Sequence, residues 1–301
     1  MSIGEDLKYQ WRHGGAVKRL LLVNIGVFLA VKVVALVGWS MGHNEFEEAV
    51  LSYLMTWNSV DLLLHRPWTV ITYMFTHQAV MHILMNMIVF WFSGQLFQGL
   101  LGDRRLTGTY LLGGLAGFAF YLIGGFLPSY LNVSHGNPIL GASAAVMAIF
   151  IFAATYQPNI VVNLYFVLQV RLKYLAIVLV ILDMIALRQG DNTGGHMAHL
   201  GGALYGFVAA KQLMQGNDWS GNFITGLEHI WNFLRGKRRS RLRVEKRPAR
   251  KVRVIHDVDF NAAKREKQER VDAILDKISR SGYDSLSKDE RDFLFKASHE
   301  Q

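Results

Sequence analysis

The chain has 301 residues, of which 51% are hydrophobic and 18% charged, and its formal net charge is +9. This composition is typical of a polytopic membrane protein rather than a soluble globular one. Residues 1–210 carry 11 Lys and Arg against 9 Asp and Glu, whereas residues 211–301 carry 21 against 14, so most of the charge lies in the last third. Because the sequence has no cysteine, disulfides, a thiolate nucleophile and cysteine-based zinc sites are excluded.

Six apolar runs approach the ~20 residues that a helix needs to cross the hydrocarbon core of a membrane. They predict an all-α polytopic membrane protein, a bundle of six transmembrane helices with a small helical cytoplasmic tail. The segment 159–170 is also apolar, and we expect it to lie in the interface or to extend a neighbouring helix. The six runs cover residues 20–39, 80–101, 106–127, 141–157, 172–189 and 194–214.

The charges of the short loops predict the orientation of the bundle. Arg104, Arg105, Arg171 and Lys173 flank the spans on the side of the N-terminus, whereas the long loop 40–67 on the other side is rich in acids. Lys and Arg are enriched in cytoplasmic loops. The sequence therefore predicts a multi-pass protein of the cell inner (plasma) membrane with both termini in the cytoplasm.

Polar side chains occur at similar depth in three of the predicted spans. Ser143 lies at the outer end of span four, and His199 lies ~7 Å below the outer end of span six at 1.5 Å per residue. His82 and Asn86 lie at the outer end of span two and share a helix face, because they are four residues apart. Polar groups are costly in hydrocarbon and tend to mark function. The sequence therefore predicts a single site near the outer surface of the membrane.

Small residues predict how these helices approach one another. His199, Gly202 and Gly206 share one face of span six, and Gly141 precedes Ser143 at the start of span four. Small faces let membrane helices pack closely. Such packing would bring the Ser143 hydroxyl within hydrogen-bond reach of His199, which is the geometry that activates a serine nucleophile.

A serine nucleophile also needs hydrogen-bond donors that face the developing oxyanion. The candidates are the His82 imidazole, the Asn86 amide and the Ser143 backbone N–H. Asp183 is predicted deep in span five, nearer the opposite side of the membrane. We therefore expect a Ser–His dyad without an acidic third member.

Three motifs, in this order and at this depth, resemble those of the rhomboid family of intramembrane serine proteases, over about residues 15–215. The resemblance implies a six-helix core that cleaves transmembrane substrates near their outer boundary through an acyl-enzyme. It implies Ser143 as the nucleophile, His199 as the base, and His82 with Asn86 as oxyanion donors. The matching pieces, with their supporting residues, are His77 and His82-Ile-Leu-Met-Asn86, then Gly141-Ala-Ser143, then Ala198-His199-Leu-Gly-Gly202 with Gly206.

Other functional classes remain as alternatives. A catalytically silent rhomboid-like protein would bind membrane segments without cleaving them. A metal site is suggested by His196 and His199, but the His-Glu-x-x-His motif of metalloproteases is absent. A transporter would show internal repeats and broken helices at mid-membrane, but the sequence has no convincing repeat and its polar residues lie too shallow. We therefore expect neither a metal nor a cofactor.

Four regions are predicted along the chain: a cytoplasmic N-terminal segment (1–19), the six-helix core (20–215), a basic juxtamembrane linker (216–257) and a C-terminal helical hairpin (258–301). The segment Arg235–Arg253 contains eleven basic residues and one acid. A basic cluster beside a membrane favours binding of anionic lipid headgroups. We expect no binding of nucleic acid.

The last forty residues predict two helices. Apolar residues of the segment 261–281 recur at the spacing of an amphipathic helix, and Gly282 is placed to end it. Ser287 and Glu290 form the pattern of a capping box at the start of a second helix.

Overall fold

The computed structural model describes residues 2–126, 137–164, 168–189, 192–236 and 257–299. The chain divides into two compact units, Met1–Arg238 and Arg239–Gln301. The described part of the first unit is helical, with one short pair of antiparallel strands and a 3-10 turn at Tyr73–Phe75. Its elements are α1 (Ile3–His13), α2 (Gly15–Ser40), α3 (Phe46–Leu54), α4 (Val60–His65), α5 (Thr69–Thr72), α6 (Val80–Gly125), α7 (Ser143–Tyr156), β1 (Val161–Leu164), β2 (Leu168–Arg171), α8 (Leu172–Gln189), α9 (Thr193–Met214) and α10 (Trp219–Leu234).

Each predicted span coincides with a helix or part of a helix of this unit. Spans one, four, five and six correspond to α2, α7, α8 and α9, within five residues at each end. Spans two and three both correspond to parts of α6, within two residues at its ends, and the helical geometry of α6 is interrupted at Gly102, where φ is +80°. By length and composition, α2 and α6 are each long and apolar enough to cross a membrane.

Helix α7 lies at the centre of the bundle, and α6 and α9 pack against it. Ten of its 14 residues are buried. Small residues bring the neighbouring backbones close: a Cβ placed on Gly113 would lie 2.2 Å from Ala148 Cβ, and one on Gly117 would lie 2.5 Å from Ala144 Cβ. Side chains at these positions of α6 would push the helices apart, so the alanine-rich sequence of α7 and the glycines of α6 fit together.

Buried hydrogen bonds fasten α2 and the 3-10 turn to the second half of α6. Tyr110 Oη donates to the Met74 carbonyl at 2.8 Å and accepts from Asn24 Nδ2 at 3.0 Å. Tyr73 Oη donates to the Gly114 carbonyl at 2.6 Å. Because buried polar groups cost free energy unless they are paired, these bonds fix the segment that leads into α6.

Two segments differ from the prediction. The segment 159–170 does not extend a helix: it contains the strand β1 and most of β2, which pair antiparallel. The sequence predicts a linker over residues 216–257, but residues 219–234 form α10. Its first turn is capped because the Asp218 carboxylate accepts from Gly221 N at 2.8 Å. The same carboxylate pairs with Arg105 Nε of α6 at 2.8 Å. The cap and the ion pair hold the start of α10 against α6.

The described part of the second unit is a pair of helices, as the sequence predicts. Gly282, with φ of +77°, follows the end of the first helix. The Ser287 backbone N–H donates to Glu290 Oε2 at 2.7 Å and Glu290 N–H donates to Ser287 Oγ at 3.3 Å, which confirms the predicted capping box. The elements are α11 (Asp257–Ser281), a 3-10 turn (Tyr283–Ser285) and α12 (Lys288–His299).

Candidate active site

The segment that leads into α7 is held by backbone hydrogen bonds to two distant parts of the chain. Thr56 and Ile139 exchange a pair of bonds, at 2.8 Å and 3.1 Å. Gly141 N donates to the Tyr73 carbonyl at 2.9 Å. Because α7 begins two residues later, at Ser143, these bonds fix the position of the serine relative to the 3-10 turn.

His77 supports the same segment from within the core. It is fully buried, and its Nε2 accepts a hydrogen bond from the Ala142 backbone N–H at 3.3 Å. Its ring packs edge-on against the His82 ring, with 5.1 Å between the centroids. His77 therefore connects the start of α7 to the start of α6, and it does not touch the serine hydroxyl.

Position 141 requires a glycine, because of its backbone conformation and because of its close neighbours. Its φ of +125° is a conformation that side-chain-bearing residues rarely adopt. A Cβ at this position would lie 2.9 Å from His82 Nε2 and 3.8 Å from Ser143 Oγ. The half-buried His82 imidazole and the serine hydroxyl therefore flank the same glycine.

The structure brings Ser143 and His199 into direct contact. Ser143 Oγ lies 2.6 Å from His199 Nε2. The helices that carry them meet at their backbones, because a Cβ on Gly202 would lie 2.1 Å from the Ala144 carbonyl oxygen and one on Gly206 would lie 2.3 Å from that of Ala148. This close approach lets a short side chain on α7 reach an imidazole on α9.

The expected position of Asp183 is wrong. Its Oδ1 lies 2.8 Å from His199 Nδ1 and 2.7 Å from His196 Nδ1, and the residue is 7% exposed. The carboxylate is therefore on the serine side of the bundle and contacts the imidazole that contacts the serine.

A signal for this contact is present in the sequence. Asp183 lies six residues before the end of α8 at Gln189, and His199 lies six residues after the start of α9 at Thr193. At 1.5 Å per residue, both are about 9 Å from the same end of the two helices. Counted from Leu172 instead, Asp183 is deep, which is why sequence reasoning missed it.

Asn86 completes the group of polar residues predicted for the site. It is 8% exposed, and its Nδ2 donates to the His82 carbonyl at 3.0 Å within α6. It lines the same cavity as Ser143 and His199. One amide proton of Asn86 thus stays in its own helix, and the second can serve a bound group.

One cavity of about 510 Å³ is lined by Asn86, Ser143, Asp183 and the two histidines of α9. Its walls come from α6, α7, α8 and α9, and apart from the polar group they are mostly apolar, including Met85, Val89, Met147, Leu179 and Leu182. An apolar cavity with a few convergent polar groups is the usual form of a binding or active site. Here it presents a nucleophile, a base and nearby hydrogen-bond donors to an apolar ligand.

A divalent cation would find its ligands in the same place. The ligand atoms of Asp183, His196 and His199 lie within 4.8 Å of one another. Both imidazole Nδ1 atoms, however, lie at hydrogen-bond distance from the carboxylate, where they serve as donors. The expectation that no metal is bound stays a prediction.

The chain is similar to three curated proteins. It is 32% identical over 157 residues to RHOMBOID-like protein 12, mitochondrial, of Arabidopsis thaliana, covering 49% of this chain and 47% of that protein. It is 33% identical over 138 residues to presenilin-associated rhomboid-like protein A, mitochondrial, of Danio rerio, covering 44% and 34%. It is 28% identical over 136 residues to presenilin-associated rhomboid-like protein, mitochondrial, of Mus musculus, with the same coverage of 44% and 34%. The matched part spans at most about half the length of these relatives.

These names bear on the predicted location. All three relatives are named as mitochondrial proteins. The prediction of a cell plasma membrane with cytoplasmic termini is therefore wrong. Loop charges orient a bundle relative to its own membrane, but they carry no information about which membrane that is.

Two family models match different parts of the chain. A family of unknown function, DUF6576, matches residues 256–300, which include the described part of the second unit. The model of the rhomboid domain matches residues 64–216, from α4 to just beyond α9, and so includes every residue of the candidate site. The chain therefore belongs to the rhomboid family.

Proposed function

We propose that the protein is an intramembrane serine endopeptidase that cleaves transmembrane protein substrates. The observation that carries the proposal is the 2.6 Å contact between Ser143 Oγ and His199 Nε2 inside an apolar cavity. Rhomboid proteins are generally serine intramembrane proteases, and those proteases act on transmembrane substrates. Family membership and local geometry thus point to the same reaction.

In the proposed acylation step, Ser143 Oγ attacks the carbonyl carbon of the scissile peptide bond while His199 Nε2 takes the hydroxyl proton. The tetrahedral intermediate then collapses, the C–N bond breaks, and His199 returns the proton to the leaving amine. Water hydrolyses the acyl-enzyme in a second step, with His199 again acting as the base.

The oxyanion donors we propose are the His82 imidazole, the Asn86 amide and the Ser143 backbone N–H. His82 and Ser143 flank the same glycine, and Asn86 lines the cavity. The N-terminus of α7 adds the positive end of a helix dipole. Removing one such donor from a serine protease lowers kcat by about 10²–10³-fold, and we expect a loss in this range for His82→Ala.

The proposed membrane arrangement has six spans, with α6 supplying two of them on either side of Gly102. The serine cavity then lies about 9 Å or less from one surface, where water can reach the acyl-enzyme. The cavity is lined from both α6 and α8. We propose that a substrate helix enters between these two helices and unwinds at Ser143.

Two further parts of the proposal concern the surroundings of the bundle. The names of the relatives support a mitochondrial membrane as its location. We propose that the basic cluster Arg235–Arg253 binds anionic headgroups beside the end of the bundle; apart from Arg235 and Gly236, this cluster lies outside the described residues.

The test uses the full chain reconstituted in liposomes with a generic transmembrane substrate and, separately, with a fluorophosphonate probe. We expect cleavage, labelling of Ser143 located by mass spectrometry, and loss of both in Ser143→Ala and His199→Ala. Ser93→Ala, which removes a buried serine of α6 outside the cavity, is the matched control and should retain activity. Cleavage that persists in Ser143→Ala would refute the proposal. Substrate binding without labelling would favour the catalytically silent alternative.

A further inference from the structure

The buried carboxylate beside His199 has no role in a Ser–His dyad. Among the described residues, Asp183 is the only buried Asp or Glu. Placing a carboxylate in a low-dielectric interior costs free energy unless it is paired and hydrogen-bonded. Its two neighbours are the imidazoles of His196 and His199, both on α9.

We infer that Asp183 is the positioning residue of a Ser143–His199–Asp183 triad and that His196 holds its carboxylate in place. The inference rests on the proposed function. Three contacts carry it: Ser143 Oγ to His199 Nε2 at 2.6 Å, His199 Nδ1 to Asp183 Oδ1 at 2.8 Å, and His196 Nδ1 to the same oxygen at 2.7 Å.

The carboxylate selects the imidazole tautomer that the reaction needs. A neutral imidazole has one nitrogen that donates and one that accepts. An ionised carboxylate only accepts, so the proton of His199 stays on Nδ1, facing Asp183. Nε2 then presents its lone pair to the serine hydroxyl, which is the arrangement a general base requires.

The same contact stabilises the charge that forms during acylation. As Oγ bonds to the substrate carbonyl carbon, its proton moves to His199 Nε2 and the imidazole becomes positively charged. The negative charge of Asp183 at 2.8 Å lowers the free energy of that imidazolium. When the C–N bond breaks, the proton leaves Nε2 for the amine, and Asp183 stays ionised throughout.

His196 gives the carboxylate a second donor. It lies one turn before His199 on α9, and the two rings are nearly perpendicular, at 86° with 5.7 Å between centroids. Two donors from one helix therefore hold a single oxygen of Asp183. This matters because α8 buries few of its own residues, so the position of Asp183 depends on these bonds.

The test compares kcat and KM for a transmembrane substrate in the full-length reconstituted protein. Asp183→Asn keeps the size of the side chain but removes its charge. We expect kcat to fall by at least about 10²-fold, by analogy with the loss of the triad carboxylate in serine proteases, and KM to change by less than about threefold. His196→Gln should lower kcat less, because Asp183 then still contacts His199.

The matched control is Asp218→Asn, which removes the carboxylate that pairs with Arg105 at 2.8 Å outside the cavity. It should leave kcat unchanged even if it lowers the unfolding temperature. If Asp183 has only a structural role, Asp183→Asn lowers the amount of folded protein but leaves kcat per folded molecule unchanged. If Asp183 positions His199, the variant lowers kcat per folded molecule.

A second readout is the tautomer of His199. Nitrogen-15 NMR of histidine-labelled wild-type protein should show the His199 proton on Nδ1.

A third readout restores the carboxylate. Asp183→Glu should recover part of the activity that is lost in Asp183→Asn.

Four results have distinct meanings. If the wild type neither cleaves nor labels, the proposed function fails. If the wild type is active, a kcat of Asp183→Asn within about threefold of the wild type, or a His199 proton on Nε2, overturns the triad. If Asp183→Asn does not fold, the NMR result alone decides. Loss of wild-type activity on chelation, restored by Zn²⁺, would overturn the triad in favour of a metal site.

Discussion

Helices α7 and α8 both line the cavity around Ser143, but the bundle holds them in different ways. Ten of the 14 residues of α7 are buried, whereas Leu172, Ala176 and Asp183 are the buried residues among the 18 of α8. The rest of α8 presents large apolar side chains at its surface, at Tyr174, Ile177, Val178, Ile181, Leu182, Met184 and Ile185.

This difference means that two distances in the site are set by different kinds of contact. The distance between Ser143 and His199 is set by backbone contacts of α7 with α9 at Gly202 and Gly206. The distance between His199 and Asp183 is set by side-chain hydrogen bonds to a helix that packs with few buried residues. We therefore expect α8 to tolerate displacement by a substrate better than α7 does.

The largest effect is expected at the α7–α9 contact. Gly202→Val would place a branched side chain where a Cβ already lies 2.1 Å from a backbone oxygen of α7. Because backbone cannot move aside as a flexible side chain does, we expect at least about 3 kcal/mol of destabilisation and loss of fluorophosphonate labelling.

The control is Gly26→Val in α2, where an added Cβ meets nothing within 4 Å. It should leave labelling unchanged. Thermal unfolding in detergent and the labelling rate measure the two effects, and normal labelling in Gly202→Val would show that the backbone contact does not set the site.

The next largest effect is expected when an isoleucine of α7 is truncated to alanine, compared with the same change in α8. Ile149 of α7 is 0% exposed and Ile181 of α8 is 48% exposed. Ile149→Ala should cost about 2–5 kcal/mol because it leaves a cavity in a packed core. Ile181→Ala should cost less than about 1 kcal/mol. Equal losses in reversible unfolding would remove the distinction between a packed α7 and a loosely packed α8.

A smaller effect is expected at the start of α7. Gly141→Ala introduces backbone strain of about 1–3 kcal/mol and brings a methyl group within 2.9 Å of the His82 ring. Gly42→Ala, at φ of +80° with nothing within 4 Å, introduces strain alone. Both should lose stability, but Gly141→Ala alone should lower kcat, by about 10-fold or more. Equal kcat values would argue that His82 takes no part.

The smallest effect is expected in the second unit, at the capping box of α12. The Ser287 backbone N–H and then the Lys277 ammonium lower the pKa of Glu290 to about 2. Since the unfolded carboxyl titrates near 4.5, the contribution of Glu290 to stability is complete above that pH and is lost as the pH falls toward about 2.

Hydrogen exchange of residues 288–299 in the full chain measures this effect. The protection of these amides should fall between pH 5 and pH 3 in the wild type, and the fall should be smaller in Glu290→Gln. The same pH dependence in both proteins would show that the capping box does not respond to this carboxyl.

The sequence by itself determined the helical elements and much of the Ser143–His199 pair. Apolar runs of about 20 residues and the loop charges predict where α2, α7, α8 and α9 lie, because burial of backbone in hydrocarbon allows only helices with internal hydrogen bonds. The glycine spacing on α9 predicts close packing, because the absence of side chains lets a neighbouring helix backbone approach.

Only the tertiary structure decided how α8 faces α9. Residues 161–164 and 168–171 form strands because β1 and β2 pair with each other, a choice that an apolar run does not reveal. The placement of Asp183 depends on the rotation of α8 about its axis. Its predicted depth depends on the end of the helix from which the residues are counted. Hydropathy fixes the length of a span but not its rotation, and it is the rotation that turns one carboxylate toward two imidazoles.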